Sequence, residues 1–240
     1  MRDKKPMGKD HLRFLLLAVF GVAINQICFL YGLKFTTPIH SAIIMTTNPI
    51  VVTIIALFVL REKISLNMTG GIILGVCGAL VLILYSHTLG KEGLNTPLGD
   101  LLTLINSISW AVFIVLAKKT MREFHTITVM KWIFLYGLPL VFFFGWDELR
   151  NTHFAAFTGS AWFATIFVIV ATTFLAYLLN TFALKALSSS TVSAYIYLQP
   201  FLAAFFAVVF GKDQITGVKI LAGCLILAGV YLSGRKGKGI

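Results

Sequence analysis

Pro49 and Pro200 stand 151 residues apart in long apolar runs, and each follows a side-chain amide, Asn48 or Gln199. A proline within a helix removes a backbone hydrogen bond and crowds the preceding turn. In lipid the freed carbonyl must be satisfied by protein or by cavity water. When such interruptions recur in two halves of one chain they point to a binding site or a hinge; a static packing kink is the competing reading. The chemistry on offer is recognition rather than bond making. The apolar runs hold no paired acids, no metal-ligand histidine cluster and no nucleophile–base pair, which argues against an intramembrane enzyme and implies no cofactor and no metal.

Further polar and aromatic residues recur at helical spacing. Thr103, Asn106, Ser107 and Trp110 share one helix face, as do Thr173, Tyr177 and Asn180. Thr191, Tyr195 and Gln199 form a third stripe, with Ser193 and Tyr197 beside it, while Asn25 and Gln26 lie in the first apolar run. Each of these either lines a cavity or bonds a neighbouring helix, at about 0.6 kcal/mol per bond. As a set they favour a polar cavity lined by Asn25, Gln26, Asn48, Asn106, Trp110, Tyr177, Asn180, Tyr195, Tyr197 and Gln199, with Pro49 and Pro200 as hinges. The aromatic members suit a ring or a cation. No carboxylate lies mid-run, so an acidic proton or ion relay is not indicated; Asp100, Glu62 and Asp213 read as caps or interface anchors.

The elements that carry these residues follow from composition. Hydrophobic residues make up 58% of the 240, charged residues 12%, and mean hydropathy is +0.90; a soluble domain has roughly 25% charged residues. At about 20 apolar residues per membrane helix, the runs predict eight spans, at 13–33, 39–60, 67–86, 98–118, 127–146, 160–184, 190–210 and 215–233. The expectation is an all-α membrane protein, a polytopic helical bundle whose first partner is the lipid bilayer. Lysine and arginine divide fifteen to five in favour of the side that holds both termini, which places the termini in the cytoplasm. The net charge of +11 then follows from this topology and anionic inner-leaflet lipid, with no nucleic-acid partner. Cys28, Cys77 and Cys224 all fall within spans and imply no disulfide framework.

The offset of the two prolines extends along the chain. Gly32-Leu33-Lys34 answers to Ala183-Leu184-Lys185, and LREKIS at 60–65 answers to GKDQIT at 211–216. Spans 1, 2 and 3 thus pair with spans 6, 7 and 8, each five spans apart. An odd separation gives paired helices opposite orientations, an inverted-topology repeat whose substrate site is expected between the halves. Residues 1–97 read as a partial first repeat of three spans and 98–240 as a complete second repeat of five, a 3 + 5 version of a 5 + 5 design in which two helices before span 1 are missing. Gly71, Gly75 and Gly78 in span 3 permit close helix approach, within the fold or at the seam of a homodimer.

The pieces YGLKFTTP at 31–38, LREKIS at 60–65, GDLLTLINSISWAVF at 99–113, FALKALSSS at 182–190 and SAYIYLQP at 193–200 resemble the EamA-type family of the drug/metabolite transporter superfamily. The resemblance covers nearly the whole chain. It implies two inverted five-helix halves, a location in the cell inner membrane, and passage of a small metabolite or drug-like substrate through a central cavity by alternating access. The other expectation is a remnant that does not transport, or a membrane scaffold that needs a partner.

Overall fold

The computed structural model describes residues 6–36, 38–87, 97–209 and 216–234; Asp213 lies outside them. The eight expected segments are all helical. Span 1 is Gly8–Phe35, span 3 Leu66–His87, span 4 Pro97–Thr120, span 5 Thr126–Phe144, span 6 Gly159–Ala186 and span 8 Gly217–Gly234. Spans 1 and 6 each have 28 residues, about 42 Å of helix, enough to cross a hydrocarbon core and its interfaces.

Burial differs from that of a protein in water. Phe58, Phe143 and Phe163 are 76%, 78% and 71% exposed, whereas Asn48, Thr103, Asn106 and Ser107 are at most 3% exposed. Lipid offers no hydrogen bonds, so polar groups turn inward and large apolar ones outward. The main apolar core, around Phe14, Phe113, Ile114, Val129 and Ile133, joins spans 1, 4 and 5.

Spans 3 and 8 pack along each other, and their glycines show why. A Cβ added at Gly71 would lie 2.5 Å from the Gly229 carbonyl oxygen, and one at Gly78 would lie 2.8 Å from that of Ala222. Under the 151-residue offset Ala222 is the mate of Gly71, and Gly229 is the mate of Gly78. Each glycine therefore meets the other's mate on antiparallel helices, the reciprocal pattern of a two-fold interface, here within one chain. The repeat is inverted about a pseudo-two-fold axis, and the glycine pattern serves packing inside the fold.

Spans 1 and 6 carry a second shared signature. Each contains a π-helical stretch, Val19–Ile24 in the first and Val168–Leu175 in the second, and the offset maps one onto the other. A π turn displaces the backbone register and leaves carbonyls poorly paired. The stretch in span 1 packs against spans 4 and 5, whereas in span 6 Val168, Ile169, Val170 and Phe174 are at least 50% exposed.

Spans 2 and 7 are broken. Thr46 and Thr47 separate Pro38–Met45 from Asn48–Val59, and the 3-10 turn Tyr195–Tyr197 separates Ser189–Ala194 from Leu198–Val209. The prolines therefore begin second helices rather than kink continuous ones. Pro49 stands in a first turn, where its missing N–H has no helical partner to lose. Proline alone does not dictate a break, since Pro139 sits inside the unbroken span 5.

Candidate functional site

The two breaks meet. In a continuous helix the Ile50 N–H would pair with the Thr46 carbonyl; it bonds Thr47 instead, at 3.1 Å. The Tyr197 hydroxyl, from the break in span 7, donates to the Thr46 carbonyl at 3.3 Å. Thr46 and Tyr197 are themselves repeat mates, 151 residues apart, so this bond lies at the pseudo-two-fold axis. Gly75 of span 3 makes room for it, since a Cβ there would collide with the Tyr197 ring.

Beside this bond is a cavity of about 310 Å³ between spans 1, 2 and 7. Phe29 and Leu33 form one wall, Ser41, Ala42, Met45 and Thr46 a second, and Ile196, Tyr197, Gln199 and Pro200 a third. The Ser41 side chain is only 2% exposed, and its hydroxyl has no hydrogen-bond partner. Helical periodicity passed over Ser41 because it belongs to no stripe; its signal is a small hydroxyl one turn before the Thr46–Thr47 break. Tyr197, Gln199 and Pro200 were candidates and lie on the wall, with Gln199 exposed at its rim.

Most of the other candidates form a second constellation, which serves the π turn of span 1. The Tyr177 hydroxyl donates to the Gly21 carbonyl, with Asn25 Oδ1 at 3.2 Å as a further acceptor. Gln26, the repeat mate of Tyr177, has its side chain near the same hydroxyl. Asn106 donates to the Asn25 carbonyl at 2.8 Å, and Ser109 donates to that of Phe20 at 2.6 Å. Trp110 packs edge-to-face on Tyr177 with ring centres 5.2 Å apart. Asn48 ties span 2 to span 4 through the Ser107 carbonyl at 2.8 Å, leaving its own Oδ1 buried and unpaired. Asn180 donates to Ala176 of its own helix at 2.8 Å, and Tyr195 points outward, 49% exposed. Pro49 is buried at the head of the second helix of span 2.

At the opposite membrane face, helix ends are tied by charge. Arg61 takes a left-handed conformation, φ 54°, and turns the chain at the end of span 2. Glu62 then accepts from the Ser189 N–H at 3.1 Å and from the Ser190 hydroxyl at 3.5 Å. Lys118 of span 4 donates to the carbonyls of Leu184 and Leu187 at 2.5 Å each. Spans 2, 4, 6 and 7 are thus fastened by donors and acceptors of the sign that helix termini favour. On the cavity side, Tyr31 donates to the exposed Glu148 at 2.8 Å, a bond that holds this carboxyl below its usual range.

Inverted halves, broken helices and a cavity where the breaks meet define a membrane transporter architecture. The comparisons place the chain within that class. The model of the EamA-like transporter family matches residues 1–84 and 97–235, and the chain belongs to this family. It is 27% identical over 233 residues to an uncharacterized transporter of Archaeoglobus fulgidus, covering 97% of this chain and 79% of that one. It is likewise 27% identical over 239 residues to the uncharacterized transporter YoaV of Bacillus subtilis, with 97% and 79% covered. A crystal structure shares the fold with a TM-score of 0.74 at 17% identity, over 96% of this chain and 76% of the other. The protein is an integral membrane protein of transporter type.

Proposed function

We propose that the chain is a secondary transporter that carries a small metabolite or drug-like molecule across a bacterial inner membrane by alternating access, with both termini in the cytoplasm. The halves 1–97 and 98–240 would rock about the pseudo-two-fold axis, and the breaks beside Pro49 and Pro200 would absorb the motion. The observation that carries this reading is the bond between repeat mates, Tyr197 to Thr46, beside the 310 Å³ cavity. Ligand pockets begin near this size. With the termini inside, the cavity lies in the outer half, and the Glu62–Ser189 and Lys118 contacts close the inner face.

The test is uptake of a radiolabelled metabolite panel into vesicles holding the full chain. At least one solute should accumulate above empty vesicles. Ala42→Phe, which fills the cavity, should abolish that uptake, and Tyr177→Phe, away from the wall, should retain it. Uptake that survives Ala42→Phe would sink the cavity as the route. A second reading, a membrane scaffold that assembles with a partner or a second copy, draws on the bare apolar face of span 6; it predicts no transport by the folded chain.

A further inference from the structure

Among the described residues that line the cavity none is charged. Phe29, Leu33, Ala42, Met45 and Ile196 are apolar, and the Tyr197 hydroxyl is committed to the Thr46 carbonyl. Trp110 and Tyr177 are engaged with each other at the π turn, so the rings on the wall are those of Phe29 and Tyr197, with no carboxylate among the described residues beside them. That leaves the Ser41 hydroxyl, 2% exposed and unpaired, as the buried hydrogen-bonding group in the wall, with the Gln199 amide exposed at the rim. A buried hydroxyl without a partner is costly, and it can serve as donor or acceptor. An ion entering such a site would give up part of its hydration with no opposite charge in the wall to replace it. The 310 Å³ of space, at about 30 Å³ per water, holds roughly ten waters or a solute of about ten non-hydrogen atoms.

Resting on the reading of this cavity as the solute site, we infer that it selects an uncharged solute of about this size, with an apolar body and one polar group that exchanges a hydrogen bond with Ser41 Oγ. Nicotinamide, nicotinate and 1-methylnicotinamide are near-isosteric probes that are neutral, anionic and cationic at neutral pH. Equilibrium binding of each, radiolabelled, is measured on the full chain in lipid nanodiscs. Nicotinamide should bind at least about tenfold more tightly than either ion, and Ser41→Ala should weaken it about fivefold while unfolding at an unchanged temperature. Ala42→Phe should abolish binding.

Equal affinity for a charged probe, with Ala42→Phe still abolishing it, overturns the uncharged class and leaves the cavity standing. Nicotinamide binding that ignores Ala42→Phe overturns the cavity itself. Unchanged affinity in a folded Ser41→Ala variant removes Ser41 from the role. Absence of saturable nicotinamide binding below about 10 mM also overturns the inference.

Discussion

Tyr177 and Tyr197 make the same bond, a phenol hydroxyl to a main-chain carbonyl left over by irregular helix, yet their surroundings assign them different work. Tyr177 serves Gly21 inside a packed network of spans 1, 4 and 6, away from the cavity wall. Tyr197 serves Thr46 on the wall. Replacing Tyr177 by Phe leaves the Gly21 carbonyl unpaired in apolar surroundings, where removing one partner of a buried bond costs about 1–3 kcal/mol. The expected outcome is about 1 kcal/mol less stability in detergent unfolding with nicotinamide affinity within about twofold of wild type. A larger loss of affinity than of stability would move Tyr177 back to the cavity. Helical spacing put both tyrosines on polar stripes and could go no further. Which stripe meets a solute depends on where the backbone leaves carbonyls bare, and neither the π turn at Val19–Ile24 nor the break at Thr46–Thr47 has a periodic signature.

The pairing of spans 3 and 8 was more legible, because glycines at close spacing and a fixed repeat offset are both written in residue types. The structure adds that not every glycine is needed. Gly71 presses on the Gly229 carbonyl and the Ser233 backbone, whereas a Cβ at the neighbouring Gly70 would meet nothing within 4 Å. Backbone cannot yield as a flexible side chain can, so Gly71→Ala should cost about 1–3 kcal/mol through overpacking. Gly70→Ala should instead gain up to about 1 kcal/mol, the helix-propensity difference between the two residues. Unfolding of the two variants in the same detergent checks both signs; a stabilised Gly71→Ala would contradict the reciprocal seam. The prolines were legible as markers but not as geometry. Pro49 and Pro139 are both mid-run in sequence, and only the first sits at a break. At the break before Pro49 the Ile50 N–H turns to Thr47, and the Thr46 carbonyl accepts from the Tyr197 hydroxyl instead.

At the scale of the molecule, inverted symmetry ties what happens at one membrane face to what happens at the other. The cavity is lined by residues far along the spans from Glu62, and Glu62 fastens the start of span 7 through Ser189 and Ser190. If the halves rock as proposed, these contacts belong to the state closed at this face, and removing the charge should shift the population toward the opposite state. The offset that pairs Thr46 with Tyr197 pairs Glu62 with Asp213, and symmetry predicts the opposite shift when Asp213 loses its charge. The reporter is Met45→Cys on the cavity wall, in a chain whose Cys28, Cys77 and Cys224 are replaced by Ala, labelled with a membrane-impermeant maleimide. Glu62→Gln should slow labelling at least about threefold, and Asp213→Asn should leave it unchanged or faster. If both variants move labelling in the same direction, the two acidic residues are simple helix caps, and the rocking of two inverted halves loses its electrostatic basis.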